Sequence, residues 1–388
     1  MVPEKKTLFS QPSWIIRSDE VELAVTELGG HMAPVTFFRN DRPFEPYYIN
    51  PWHAEDIPID TPVLKPLRGD FFCMPFGERN SYREEVHEVH GETATGYWSL
   101  ANYGRAGNVV SLSLTMETKV RQGRTTKILR LVDGHNAVYC QHILEGYSGK
   151  MCLGHHATLD PHGEADTMNI SVSPIKFGLT NPHLTGQENN GEYYALESNK
   201  SFKNLEKVPT MWKEYPYDDL TVFPRRRGFV DIVQVYNKKK KKPGWVCAVY
   251  IKEGFLWYAL KDPRILPSTV IWMENHGRHQ PPWNGRNCCI GLEDVCAYLA
   301  LGLRESVRKN RASEKGVPTY LNLSEKRPTV INYIQGAAKI PKGFDKVRKV
   351  KMGQGEVTFL SYSEKSVTVP LYHWFLYTGS LEEPKDTF

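Results

Sequence analysis

Apolar and polar residues alternate along much of this chain. Val110, Leu112, Leu114 and Met116 are separated by Ser111, Ser113 and Thr115. That two-residue period turns one face of a strand toward a core and the other toward water. Residues 126–132, 137–144, 245–251, 255–260 and 269–273 are strand-like as well, as are 328–334, 347–352, 356–362 and 366–377. Clusters of Gly, Pro, Asn and Asp separate them. One helix is predicted over about 299–312, where Leu299, Leu303 and Val307 recur at helical spacing before Gly316 and Pro318. Strands that do not alternate with helices argue against a doubly wound sheet. The expectation is an all-β fold, a large antiparallel sandwich without a repeat of fixed period.

Composition narrows the function classes. Aromatics reach 12%, which suits a strand-rich core or a surface that binds sugars. The net charge of +5 is too mild to argue for nucleic acid. Lys238 to Lys242 reads as a solvated hairpin loop. Arg225-Arg226-Arg227 reads similarly, although an arginine there could reach an anionic sugar. The seven cysteines show no CxxC spacing and are expected as buried free thiols in a reducing compartment. No apolar run of membrane length and no signal-like N-terminus is seen. A cytoplasmic protein without a membrane partner, monomer or homodimer, is the expectation. No GxSxG elbow, P-loop or GxGxxG is found, which weakens esterase, NTPase and nicotinamide-enzyme readings.

Three polar clusters could carry chemistry: residues 75–98, 154–164 and 274–298. They lie far apart, so only a fold can join them. Glu88, His90 and Glu92 alternate and would share one face of a strand. With His155, His156, His162 and Glu164 they form an alternative, metal-binding reading. No HExxH-like spacing supports it, and neither a metal nor another cofactor is expected.

In order along the chain, several segments resemble the galactose mutarotase (aldose 1-epimerase) superfamily. They are Leu28-Gly29-Gly30, Pro75-Phe76-Gly77-Glu78-Arg79, His90-Gly91-Glu92 with Trp98, Gly154-His155-His156, and Gly291-Leu292-Glu293. The resemblance spans about residues 20–300. It implies one antiparallel β-supersandwich over 1–388, in which 301–388 is a C-terminal extension completing the sheets. It implies a small carbohydrate substrate whose ring is opened and reclosed by an acid and a base. Carried over by motif, Glu293 takes the base position and His156 the acid position. Arg79 and His90 take sugar-binding positions, and His155, Glu92 and Trp283 are further binding candidates. A glutamate and a histidine suit this work, since their ordinary pKa values of about 4.3 and 6.5 bracket mildly acidic to neutral conditions. The alternatives are a carbohydrate-binding protein without turnover, or a different sugar epimerase, lyase or hydrolase on the same fold. Departures from the family pattern are Glu78 before the arginine, Thr158 two residues after His156, and a late aspartate for which Asp262 is the nearest candidate. Strand alternation already sets His155 and His156 on opposite faces.

Overall fold

A computed structural model describes residues 2–182, 191–238 and 242–384. Eight strands form the centres of the two large sheets: β1 (Asp70–Cys73), β2 (Gly123–Val132), β3 (Ala137–Glu145), β4 (Leu153–Leu159), β5 (Phe229–Asn237), β6 (Ser268–Asn275), β7 (Cys288–Cys296) and β8 (Thr329–Lys339). Among the described residues the two large sheets have eleven and nine strands. The first runs through β1-β4-β7-β6-β5 at its centre, the second through β8-β3-β2. Every pairing between these strands is antiparallel.

The two sheets face each other across one apolar core, to which Leu112, Leu114, Leu129, Phe72, Ile271 and Leu292 all belong. This is where the alternation at 110–116 points, with Val110, Leu112, Leu114 and Met116 inward. Strands β4 and β6 are buried at every position, which is why their sequences do not alternate cleanly. Their inner face meets the second sheet. Their outer face lies under loops, and that face carries the candidate site.

The C-terminal segment contributes in two ways. Strand β8 sits within the nine-stranded sheet, between β3 and Phe255–Lys261. A three-stranded meander, Val347–Met352, Glu356–Ser361 and Ser366–Pro370, then covers the outer face of that sheet. Val347, Val357 and Phe359 pack there against Trp245, Leu256, Tyr258 and Leu260. The predicted strand over 366–377 therefore ends early, at Pro370, and a short helix at Phe375–Thr378 follows. The helix predicted over 299–312 is broken in two, Gly302–Val307 and Arg311–Glu314. Asn310 stops continuity by capping the second piece, its side chain accepting from the amides of Ala312 and Ser313. All seven cysteines are free thiols, and all but Cys288 are buried. Among the described residues no helix is long and apolar enough to cross a membrane. Most of the Lys238–Lys242 run, residues 239–241, lies outside the described residues.

Candidate active site

Register decides which side chains meet. Strand β4 pairs with β7 through Gly154↔Val295 and Ala157↔Leu292, which sets His156 alongside Glu293 and His155 alongside Asp294. On the other side of β4, His156 faces Phe71 and His155 faces Phe72. On the other side of β7, Glu293 pairs with Val270 and Asp294 with Thr269. Two rows therefore cross the centre of the sheet. Phe71, His156, Glu293 and Val270 point outward; Phe72, His155, Asp294 and Thr269 point into the core between the sheets.

The outer row floors a cavity of about 270 Å³, lined among others by His90, His156, Glu293, Trp272, Arg278 and Trp283. The volume lies just under the usual range of about 300–1,000 Å³ for small-molecule sites. His156 Nε2 stands 3.3 Å from Glu293 Oε1. Its Nδ1 is 3.1 Å from Thr158 Oγ1, and its ring stacks on Phe71 with centroids 4.5 Å apart. Thr158 thus stands beside the second ring nitrogen, where an aromatic would stand in the family pattern, and helps hold the imidazole. Glu293 is 2% exposed. A side chain at Gly291 would place its Cβ 2.2 Å from the Glu293 carboxylate oxygen. The carboxyl is folded back across the strand, and only glycine leaves it room.

Burial moves both groups away from charge. It pushes Glu293 well above the ordinary carboxyl range, against the opposing pull of Arg278. It drives His156 well below the ordinary imidazole range, helped by His90 and Arg278. Both shifts favour the uncharged forms, with one proton to share between the two facing atoms.

His90 sits in a left-handed turn (φ 61°) followed by Gly91 (φ 74°). Its Nδ1 accepts from the Gly77 amide at 3.3 Å, so the ring carries its proton on Nε2. Burial, reinforced by Arg278, lowers its pKa to about 3. His90 is thus a neutral hydrogen-bond donor at any ordinary pH, edge-on to His156 with centroids 4.8 Å apart.

The same turn removes the proposed metal set. Glu88, His90 and Glu92 share no strand, because the chain reverses at His90-Gly91 and begins a short helix at Glu92. Glu92 accepts from the amides of Lys119 and Val120 and so ties down a surface turn instead of reaching the cavity. Arg79 also lies outside the cavity. Its side chain is 63% exposed and pairs with Glu88 at 3.3 Å. His155 is fully buried on the inner face, its Nδ1 2.9 Å from Asp70 Oδ2. Arg79, Glu92 and His155 therefore lie away from the cavity lining. His162 is likewise elsewhere, paired with Glu253 at 2.8 Å. Asp262 is held by Arg264, and Arg225 and Arg226 pair with Asp166, Asp218 and Asp231. Trp98 is buried with its indole N–H on the Thr93 carbonyl. Trp283 does line the cavity, edge-on to both Trp52 and Trp272.

The cation in the cavity wall is Arg278, which the motif reading did not single out. Its guanidinium lies 5.1 Å from the Trp272 ring and 4.9 Å from the Trp283 ring. Its Nε is 2.8 Å from Glu192 Oε1 and 3.8 Å from Glu274 Oε2. Burial alone would lower the Arg278 pKa, but Glu192 and Glu274 outweigh it and raise it. Burial lifts Glu274 to about 7, although Arg278 and two backbone amides pull it down. Two further lining residues have unmet hydrogen-bonding capacity among the described residues, Nε1 of Trp272 and Oε1 of Gln280. The one sequence signal for this group was its density of Trp, Arg and Glu within 272–283. No spacing rule ties them to a site.

Neither a protein-family model nor a curated protein matches this sequence. Solved structures do match the fold. A galactose mutarotase-like protein from Clostridium acetobutylicum superposes with a TM-score of 0.59 at 10% identity, covering 87% of this chain and 98% of that one. A candidate aldose 1-epimerase from Klebsiella pneumoniae gives 0.56 at 11% identity, over 86% of this chain and 83% of that one. A candidate aldose 1-epimerase from Escherichia coli K12 gives 0.54 at 11%, over 84% and 99%. The fold is therefore the galactose mutarotase-like all-β fold, as the ordered motifs imply. At these identities the likeness concerns architecture alone.

Proposed function

We propose that the cavity binds a monosaccharide and interconverts its anomers by acid–base ring opening at Glu293 and His156. The observation that carries this reading is their 3.3 Å pairing on the floor of an aromatic-walled cavity. The names of the structural neighbours support it as analogy.

With the shared proton on His156, Glu293 takes the proton of the anomeric hydroxyl. The C1–O bond within the ring breaks, its electron pair goes to the ring oxygen, and His156 protonates that oxygen. An open-chain aldehyde results. Rotation about C1–C2 presents the other carbonyl face, and the same steps in reverse close the ring. Both groups then regain their starting protonation, so no cofactor is consumed. A neutral pair suits the work, because neither member needs to stand as a lone buried charge between turnovers. His90 donates through Nε2–H to a sugar oxygen. The Trp272 and Trp283 faces pack on the C–H side of the ring, and Gln280 Oε1 accepts from a hydroxyl.

The test is anomer exchange, followed by NMR on freshly dissolved sugars across a panel of neutral and acidic aldoses. E293Q keeps the shape of the carboxyl group and removes the proton acceptor. It should cut exchange by about 100-fold or more while sugar affinity changes little. Tight binding of a sugar without exchange in the wild type would instead identify a binding protein. Neither binding nor exchange with any sugar would end the proposal.

A further inference from the structure

The core between the two sheets holds a second cluster that the proposed chemistry does not use. We propose that Cys140, His142 and His155 form a site for one thiophilic closed-shell cation, zinc(II) or copper(I), that ties the two sheets together.

Cys140 and His142 lie two residues apart on β3 and face the core from the nine-stranded sheet. His155 faces them from β4 of the other sheet, its ring 5.1 Å from that of His142. One donor atom from each residue, a thiol sulfur and two ring nitrogens, lies within 4.8 Å of the others. His142 and His155 are fully buried and Cys140 is 2% exposed. Metal bonds of about 2.0–2.3 Å set donors roughly 3.5–4 Å apart. The widest pair must close by about an ångström, which side-chain rotation supplies.

Hydrogen bonding points the same way. Nε2 of His142 and Nε2 of His155 are both buried without a partner among the described residues. An unpaired buried polar atom is costly, and this core holds two at one place. On His155, Asp70 occupies Nδ1 at 2.9 Å. That contact fixes the proton on Nδ1 and leaves the Nε2 lone pair free, the carboxylate–histidine arrangement common behind metal ligands. On His142, Nδ1 stands 3.9 Å from the Cys140 sulfur.

The donor set selects the ion. One sulfur and two imidazoles suit zinc or copper(I) and are poor donors for magnesium or calcium. Cys140 loses its proton to solvent as the ion enters, so the bound unit gains one positive charge with zinc and none with copper(I). Asp70 lies behind His155 to offset it. Lys127 is directly opposite His142 on β2, but its ammonium is turned to the Gly30 carbonyl at 2.5 Å and to the Trp98 ring.

The test uses full-length, tag-free protein. Metal content is measured by mass spectrometry after purification without chelator. Stripped protein is then titrated separately with zinc(II), with copper(I) under reductant, and with cobalt(II) as a spectroscopic probe. We expect about one ion per chain, a thiolate-to-cobalt charge-transfer band, and a melting temperature about 5 °C higher when loaded. C140S should lose the band, and H155Q should retain less than about a tenth of the metal. H156A and E293Q, on the opposite face of the sheet, should keep both band and metal. Folded wild-type protein that binds none of the three ions, or C140S with the same band and stoichiometry, overturns the proposal. Should C140S or H155Q fail to fold, the wild-type cobalt titration decides by itself.

Discussion

Gly291→Ala tests the geometry of the candidate site without presuming its substrate. The new methyl carbon would stand 2.2 Å from Glu293 Oε1, 3.1 Å from Glu293 Cδ and 3.2 Å from Trp272 Cε3. Carbon and oxygen prefer a separation above about 3 Å, so the carboxyl has to swing off the strand. Its 3.3 Å contact with His156 then breaks. Gly291 lies in ordinary strand backbone, so the substitution introduces little conformational strain of its own. Overpacking of this kind costs roughly 1–3 kcal/mol, read as a shift in the urea midpoint at unchanged slope. If the site is acid–base machinery, exchange should also fall by about 100-fold, since a positioned proton acceptor contributes on that scale. A double-mutant cycle isolates the cause. In an E293A background the carboxyl is gone, and G291A should cost no more than about 0.5 kcal/mol beyond the residual Trp272 contact. The reasoning is refuted if G291A is equally destabilising in both backgrounds, or if it leaves stability and exchange at wild-type values.

Three further outcomes are expected. R79A should leave sugar affinity and stability within about 0.5 kcal/mol of wild type, as for an exposed ion pair; a tenfold loss of affinity by calorimetry would return Arg79 to the site. R278M strands Glu192 and Glu274 beside each other in a buried wall and should cost roughly 3–5 kcal/mol in denaturant unfolding; an unchanged midpoint would show that the pairing carries no weight. His90 has a folded pKa near 3 against an ordinary value near 6.5. Only the unfolded chain takes up its proton in that window, so stability is intact above pH 6.5 and is lost as pH falls toward 3, by up to about 5 kcal/mol. Because His31, His142 and His156 are depressed in the same direction, H90Q should make that acid limb shallower in urea titrations across pH 3–7 without abolishing it; an unaltered limb would exclude His90 as a contributor.

Much of the fold was legible from the chain alone, because burial on one face of a strand imposes a two-residue period. Val110 to Met116 shows it openly, and the strands at 137–145, 244–250 and 255–261 lie where apolar runs predict them. The same period separated His155 from His156. It could not say which of the two faces the cavity, since alternation is symmetric between faces and only the packing of a second sheet breaks that symmetry. Register did the rest. Gly154↔Val295 set His156 beside Glu293, and a slip of one residue would have paired the inward row instead. Loop residues were the hardest to read. Arg79 follows the motif but stands in solvent, and Arg278 provides the buried cation from a segment where no periodicity applies. Glu92 left its supposed strand because the backbone turns at His90-Gly91, a reversal set by close packing on the Met74 carbonyl. Sequence by itself determined many of the strands and the chemical types available, but its alternation did not mark 70–73, 153–159, 229–237 or 288–296. Which of them converge was decided by long-range pairing, whose partners lie up to hundreds of residues apart and leave no local trace.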